Sequence, residues 1–180
     1  MRRVAFAVYP GFEILDVSGP SAAFNSANRA LAAASKKRVY EIDVLSGAGG
    51  PVTSSSGIVV ETRRIDEHAG HSIDTLLVAG AEQEPLLQAI ADRAMRNALP
   101  QLAGDARRFG SVCSGAFFLA ALGLLDGHRI ATHWDACTSL AQAFPSVSVD
   151  PDALYVVDGR LWTSAGVTTG IDMAFGHDHR

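Results

Sequence analysis

Short apolar runs alternate with longer amphipathic stretches along the chain. Arg3–Tyr9, Val39–Leu45 and Ile73–Ala79 have the length and apolar character of buried strands. Between them, Pro20–Ala34 and Pro85–Ala103 have helical spacing, and a proline near the first turn is typical of a helix start. Strand–helix alternation of this kind predicts a mostly parallel sheet with helices on both faces.

The second half of the chain continues this alternation. Its predicted elements are a strand at Arg108–Val112, a helix at Ser114–Leu125, a strand at Arg129–Thr132, a helix at Trp134–Phe144, a hairpin of Leu154–Val157 and Leu161–Thr163, and a last helix from near Val167. Asp158-Gly159 is a typical hairpin turn. A Gly/Ser-rich stretch at 47–57 predicts a further small hairpin that ends in Ile58–Val60.

Composition narrows the class of protein. The chain has 180 residues, 48% of them hydrophobic, and no long linker, which predicts a single domain over residues 1–180. A net charge of −4 argues against direct nucleic-acid binding by this chain. Its apolar runs are shorter than the roughly 18–20 residues of a membrane span. Two cysteines form no disulfide framework, so we expect a cytoplasmic protein.

Four features follow predicted strands at what would be one edge of the sheet. They are Asp16, the pair Gly80-Ala81, Cys113 and His133. Open parallel sheets bind ligands beyond the carboxyl ends of their strands. We therefore expect these residues to surround a ligand pocket.

Cys113 carries the sharpest chemical signal. The sequence Ser111-Val112-Cys113-Ser114-Gly115 joins a strand directly to a helix, which is the arrangement of a nucleophile elbow. The N–H groups at the helix start favour a thiolate. The N–H groups of Ser114 and Ala81 are candidates for an oxyanion hole. A buried, unreactive cysteine at a strand end is the alternative.

Asp16 lies among apolar neighbours, where a carboxyl group is costly to bury without a partner. It is a candidate to hydrogen-bond Cys113 or to position a water, with Glu13 as the second choice. Alternatively, Asp16 or Ser18 caps the following helix.

His133 is a candidate base for Cys113, and with Trp134 it also fits a position that caps a helix and lines a pocket. No phosphate-binding glycine motif and no metal-ligand spacing occur, so we expect no cofactor and no metal site. These residues alone do not decide whether the protein is an enzyme, and we favour a non-catalytic role for the pocket.

Several segments resemble the ThiJ/PfpI superfamily, whose fold is similar to class I glutamine amidotransferases. They are PGFEILDVSGP (10–20), DTLLVAG (74–80), SVCSGAFFLAALGLLDG (111–127), ATHW (131–134) and TSAGVTTGID (163–172). The resemblance implies a flavodoxin-like three-layer sandwich with a nucleophile elbow, a small-molecule effector or substrate, and a homodimer. Ser114 stands where related proteases have histidine, and no His-x-Glu pair of the glutaminase type occurs near residues 163–175.

The stretch 144–172 looks most like the N-terminal sensor half of AraC-type transcriptional regulators. This resemblance implies a ligand-sensing domain whose DNA binding depends on a C-terminal domain missing from this chain. The last helix stops after two turns in Gly-His-Asp-His-Arg, and we expect a truncated chain.

Two alternatives stay open. The chain also resembles isonitrile hydratase, in which Cys113 would be the nucleophile and Asp16 the acid/base of a C–N hydratase or hydrolase. A redox protein with a reversibly oxidised Cys113 is the third interpretation.

Overall fold

The computed structural model describes residues 1–68 and 72–176. The strands within these ranges are β1 (Arg2–Ala7), β2 (Tyr40–Ser46), β3 (Gly50–Thr53), β4 (Val59–Arg64), β5 (Thr75–Val78), β6 (Arg108–Val112), β7 (Arg129–Ile130), β8 (Ser148–Val149), β9 (Tyr155–Asp158) and β10 (Leu161–Ser164). The α-helices are α1 (Leu15–Ala33), α2 (Gln83–Ala91), α3 (Arg93–Asp105), α4 (Ala116–Ala121), α5 (Cys137–Ala143) and α6 (Val167–Gly176).

The main sheet has eight strands in the order β3-β4-β2-β1-β5-β6-β10-β9. Every neighbouring pair from β4 to β10 is parallel. The outer strands β3 and β9 pair antiparallel with β4 and β10. The predicted parallel sheet and both predicted hairpins are confirmed.

Helices cover both faces of this sheet. Alternate residues of a strand point to opposite faces, so Val4 and Phe6 pack with α1 and α6, while Ala5 and Ala7 pack with α2, α3 and α4. The architecture is therefore the expected flavodoxin-like three-layer sandwich.

Two predicted helices have different bounds in the structure. The first begins at Leu15 rather than Pro20, because the Ser18 N–H already donates to the Ile14 carbonyl at 2.9 Å. Asp16 consequently lies in the first turn of α1 and not in a loop. The predicted helix Pro85–Ala103 is two helices, since Asp92 adopts extended backbone and accepts the Met95 N–H at 2.9 Å as an N-cap.

The predicted strand Arg129–Thr132 differs more. Only Arg129–Ile130 is extended, and it pairs with β8 in a separate two-stranded sheet. The expectation that His133 follows a strand of the main sheet is therefore wrong. The loop after β7 nevertheless approaches the elbow, because the Thr132 hydroxyl donates to the Cys113 carbonyl at 3.0 Å.

Buried Asn28 fastens α1 to β2. Its side-chain amide donates to the Tyr40 carbonyl at 2.8 Å and accepts the N–H groups of Val39 and Tyr40, each at 3.0 Å. We expect Asn28→Ala to lower the free energy of unfolding by about 2–4 kcal/mol, because three backbone groups lose their partner and the two of Tyr40 are buried. Urea denaturation measures this loss. Asn25→Ala, on the exposed side of the same helix, is the matched control, and an equal effect of both variants would contradict the prediction.

Among the described residues, no helix is both long enough and apolar enough to cross a membrane.

Candidate functional site

An open pocket of about 1030 Å³ lies beyond the carboxyl ends of β5 and β6. Its lining includes Cys113, Ala81 and His133, which the sequence placed at one edge, together with the candidate ligand-binding residues Ser114 and Trp134. Asp16 and Gly80 lie beneath this surface. A second cavity, of about 340 Å³, lies at the opposite edge of the sheet, where β6 and β10 begin, and contains none of these residues.

Cys113 occupies a sharp turn between β6 and α4. Val112 is still extended, whereas Cys113 has φ of +56°, a left-handed conformation that is rare for a residue with a side chain. Gly115 follows where a Cβ would lie 2.4 Å from the Val78 carbonyl oxygen. Only glycine at position 115 therefore lets the turn pack on β5, which is typical of a nucleophile elbow.

The Cys113 thiol is half-buried, and this determines its protonation. Burial, followed by the negative charge of Asp16, raises its pKa to about 12, although hydrogen bonding from Ser114 lowers it in part. This pKa keeps Cys113 a thiol at neutral pH, because burial outweighs the favourable N–H groups of the turn.

Asp16 has no solvent-exposed surface. Its Oδ2 accepts the Gly80 N–H at 2.8 Å, and its Oδ1 has no hydrogen-bond partner among the described residues. Burial raises the pKa of this carboxyl to about 7, against the lowering effect of the Gly80 hydrogen bond. The negative charge of Asp16 acts on the Cys113 thiol, but among the described residues no hydrogen bond joins these two side chains. Asp16 accepts the Gly80 N–H and does not cap α1.

Ser114 fastens the elbow to the loop after β5. Its hydroxyl donates to the Ala81 carbonyl at 2.7 Å and accepts the Ala81 N–H at 3.0 Å. Because the Ala81 N–H already donates to the Ser114 hydroxyl, it does not point a free donor into the pocket. The expected oxyanion hole of the Ser114 and Ala81 N–H groups therefore lacks its second donor. The same side chain leaves no room for a larger residue at position 80, because a Cβ on Gly80 would lie 2.7 Å from the Ser114 hydroxyl.

His133 and Trp134 also line the pocket. Their rings lie 5.5 Å apart, and Trp134 is 75% exposed. Among the described residues, no hydrogen bond joins the His133 ring to the Cys113 thiol. The structure therefore brings the two residues to one pocket without forming a nucleophile–base pair.

Sequence reasoning missed several residues of the site. Tyr9, just after β1, donates its hydroxyl to the Ala79 carbonyl at 2.8 Å. Burial, followed by the charges of Asp16 and Cys113, raises the pKa of Tyr9. Asp152 and Thr169 also line the pocket. Thr169 lies in the first turn of α6, the helix that follows β10. The carboxyl end of β10 lies beside that of β6, and this adjacency was the available signal. The described residues contain no cluster of three or more His, Cys, Asp or Glu that would hold a metal ion.

The protonated thiol leads to a measurable expectation. At pH 7 we expect iodoacetamide to alkylate Cys113 at least ~10-fold more slowly than free cysteine, because only the thiolate reacts. The rate should still be rising at pH 10. Mass spectrometry of the Cys113 peptide against time measures it. A rate that levels off below pH 8 would instead demonstrate a thiolate.

A doubly wound sheet with a cysteine on a strained strand-to-helix turn defines an α/β domain with a nucleophile elbow. The chain belongs to the DJ-1/PfpI family, whose family model matches residues 2–177. This confirms the ThiJ/PfpI resemblance.

Known relatives include both regulators and an enzyme. The chain is 39% identical to a Streptomyces lividans protein from the cpoL 5′ region over 80% of this chain and 96% of that protein. It is 33% identical to the HTH-type transcriptional regulator CdhR of Pseudomonas aeruginosa (93% of this chain, 47% of the regulator). It is 31% identical to the isonitrile hydratase of Pseudomonas putida (96% of this chain, 68% of the enzyme).

Solved structures give the same fold. A ThiJ/PfpI family protein from Pseudomonas syringae is 27% identical and matches with a TM-score of 0.82 over 98% of this chain and 67% of that one.

The chain spans about half the length of the curated regulators that it matches.

Proposed function

We propose that this chain is the ligand-sensing domain of an AraC-type transcriptional regulator, and that its pocket binds a small effector without converting it. The observation that carries this proposal is the hydrogen bond from the Ala81 N–H to Ser114. That bond removes a donor that an acyl-transfer site would aim at a developing oxyanion. The high pKa of the Cys113 thiol and the regulator relatives support the same conclusion.

The proposal includes three further features of the working protein. DNA binding belongs to a separate helix-turn-helix domain, because the related regulators are HTH-type proteins about twice as long as this chain. The sensor acts as a homodimer in the cytoplasm. Light scattering tests the dimer, and a monodisperse monomer would oppose it.

Turnover assays distinguish a sensor from an enzyme. The purified protein is incubated with isonitriles and with amides, beside Cys113→Ala as the matched control. We expect no product from either protein, together with ligand-induced thermal stabilisation in a screen of small metabolites. Product formation by the parent protein that disappears in Cys113→Ala would refute the non-catalytic role.

The alternative is an isonitrile hydratase-like enzyme. The pairing of Cys113 with an acid of pKa about 7 favours it, because Asp16 then holds a transferable proton at neutral pH. The Cys113 sulfur would form a bond to the isonitrile carbon while Asp16 delivers its proton to that carbon and takes up the proton of the thiol. Water would then attack the resulting thioimidate and release the thiol. The 31% identity to the hydratase is consistent with this chemistry.

A further inference from the structure

We propose that Tyr9 is a positioning residue of the site. Its hydroxyl fixes the Ala79–Gly80 peptide group in the orientation that directs the Gly80 N–H to Asp16. Tyr9 is not among the residues that line the pocket, so it acts on the site through the backbone. This inference goes beyond the proposed function, because it concerns Asp16 whether the pocket only binds its ligand or converts it.

One peptide group joins Tyr9 to Asp16. Its carbonyl, that of Ala79, accepts the Tyr9 hydroxyl at 2.8 Å. Its N–H, that of Gly80, donates to Oδ2 of Asp16 at 2.8 Å. The C=O and N–H of a planar trans peptide bond point in opposite directions. Tyr9 and Asp16 consequently hold this peptide group from its two sides.

This peptide group lies just beyond the end of β5, where the sheet ladder no longer sets its orientation. The neighbouring backbone groups have other partners. The Ala79 N–H donates to the Ala7 carbonyl at 3.1 Å, and the Gly80 carbonyl accepts the Glu13 N–H at 2.8 Å. Glycine allows a wide range of φ, so position 80 alone does not fix the plane of the peptide group before it. That plane therefore depends on the two side chains that bond it.

Packing directs the Tyr9 hydroxyl to this carbonyl. The side chain is buried, and its ring lies 6.1 Å from that of Phe118 in α4, the helix that follows the elbow. Ala79 is buried as well, so solvent does not replace the phenol as the partner of its carbonyl. Because burial above all raises the pKa of Tyr9, the hydroxyl keeps its proton at neutral pH and stays a donor.

The bond from Tyr9 strengthens the donor that Asp16 receives. Hydrogen bonds in a chain polarise one another, so a peptide group whose carbonyl accepts a bond has a more strongly donating N–H. The Gly80 bond lowers the pKa of Asp16 against the larger effect of burial, and Glu13 raises it. The charge of Asp16 in turn acts on the Cys113 thiol. With the pKa of Asp16 at about 7, a small change in this donor alters the charge beneath the pocket at neutral pH.

Tyr9→Phe removes only the hydroxyl. We expect Asp16 in this variant to bind its proton about threefold to tenfold more tightly than in the parent, because the Gly80 N–H becomes a weaker or misdirected donor. The ¹³C shift of the Asp16 carboxyl, followed by NMR from pH 5 to pH 9 and assigned with Asp16→Asn, measures this change. Asn28→Ala is the matched control. It removes buried hydrogen bonds between α1 and β2 and should leave the titration of Asp16 as in the parent.

A fluorinated ring tests the opposite direction in a folded protein. Replacing the chain's three tyrosines by 3-fluorotyrosine makes the phenol more acidic and hence a stronger donor. Asp16 should then bind its proton about twofold less tightly than in the parent. The same labelling of Tyr9→Phe should leave the titration of that variant unchanged. A tyrosine that only fills space would not give effects of opposite sign.

Three results would overturn the positioning role. They are unchanged or weaker proton binding by Asp16 in Tyr9→Phe, a shift of equal size in Asn28→Ala, and equal titration of the parent with and without fluorine. None of them would affect the proposed sensor function, which depends on ligand binding in the pocket. An empty metabolite screen would remove the sensor function and leave the role of Tyr9 intact.

Discussion

Asp16→Asn is expected to be more stable than the parent protein at pH 8, by about 2–4 kcal/mol. The folded-state pKa of Asp16 is about 7, above the ordinary value of 3.8, so folding favours the protonated carboxyl. Its contribution to stability is complete below about pH 4 and is lost as the pH rises to about 7. Each pKa unit corresponds to ~1.4 kcal/mol, and asparagine can still accept the Gly80 N–H.

Urea denaturation of both proteins from pH 4 to pH 8 measures this effect. The parent should lose stability over that range, and Asp16→Asn should give a flatter profile. Asp43→Asn is the matched control, because Asp43 is also buried but lies between Arg3 at 3.0 Å and Arg63 at 2.9 Å. It should be destabilised by about 1–3 kcal/mol at pH 7. Parallel profiles for the parent and Asp16→Asn would show that Asp16 ionises normally.

Gly115→Ala is expected to cost at least ~3 kcal/mol of folding free energy and to displace the elbow. The new Cβ would lie 2.4 Å from the Val78 carbonyl oxygen and 2.9 Å from that of Ala79, and backbone of a central strand cannot move away. Because Cys113 and Ser114 precede this contact directly, the displacement should also break the Ser114–Ala81 hydrogen bonds.

Denaturation and alkylation together test this second prediction. The variant should unfold at lower urea, and its Cys113 should react faster with iodoacetamide than in the parent. Gly104→Ala is the control, since a Cβ at Gly104 in α3 meets no atom within 4 Å. It should gain about 0.5–1 kcal/mol. A Gly115→Ala variant as stable as Gly104→Ala would mean that the elbow does not need a glycine.

Local sequence patterns were sufficient to predict most of the strands and helices of the fold. β6 has the predicted bounds Arg108–Val112, because a short apolar run ends there directly at the helix start. The break at Asp92 was missed because an acidic residue inside a helical pattern is ordinary, and only the bond from the Met95 N–H makes it an N-cap. β7 was misplaced because two extended residues do not reveal their pairing partner.

The site was predictable in position but not in chemistry. Strand ends identified Cys113, Asp16 and the Gly80-Ala81 pair as neighbours. Whether Cys113 is a thiol or a thiolate depends on its burial, which the packing of distant segments determines. The engaged Ala81 N–H depends on one rotamer of Ser114, which lies 33 residues away in the chain. Neither quantity has a local sequence signal.

The contact of α6 with α1 lies next to the pocket. Gly166 and Thr169 line the pocket at the start of α6, and Gly170 one residue later approaches Pro20 of α1 so closely that a Cβ there would lie 3.3 Å from its ring. A ligand that contacts the first turn of α6 therefore contacts a helix that packs directly on α1, the helix that carries Asp16. Residues 166–170 thus form both part of the pocket wall and the contact between α6 and α1.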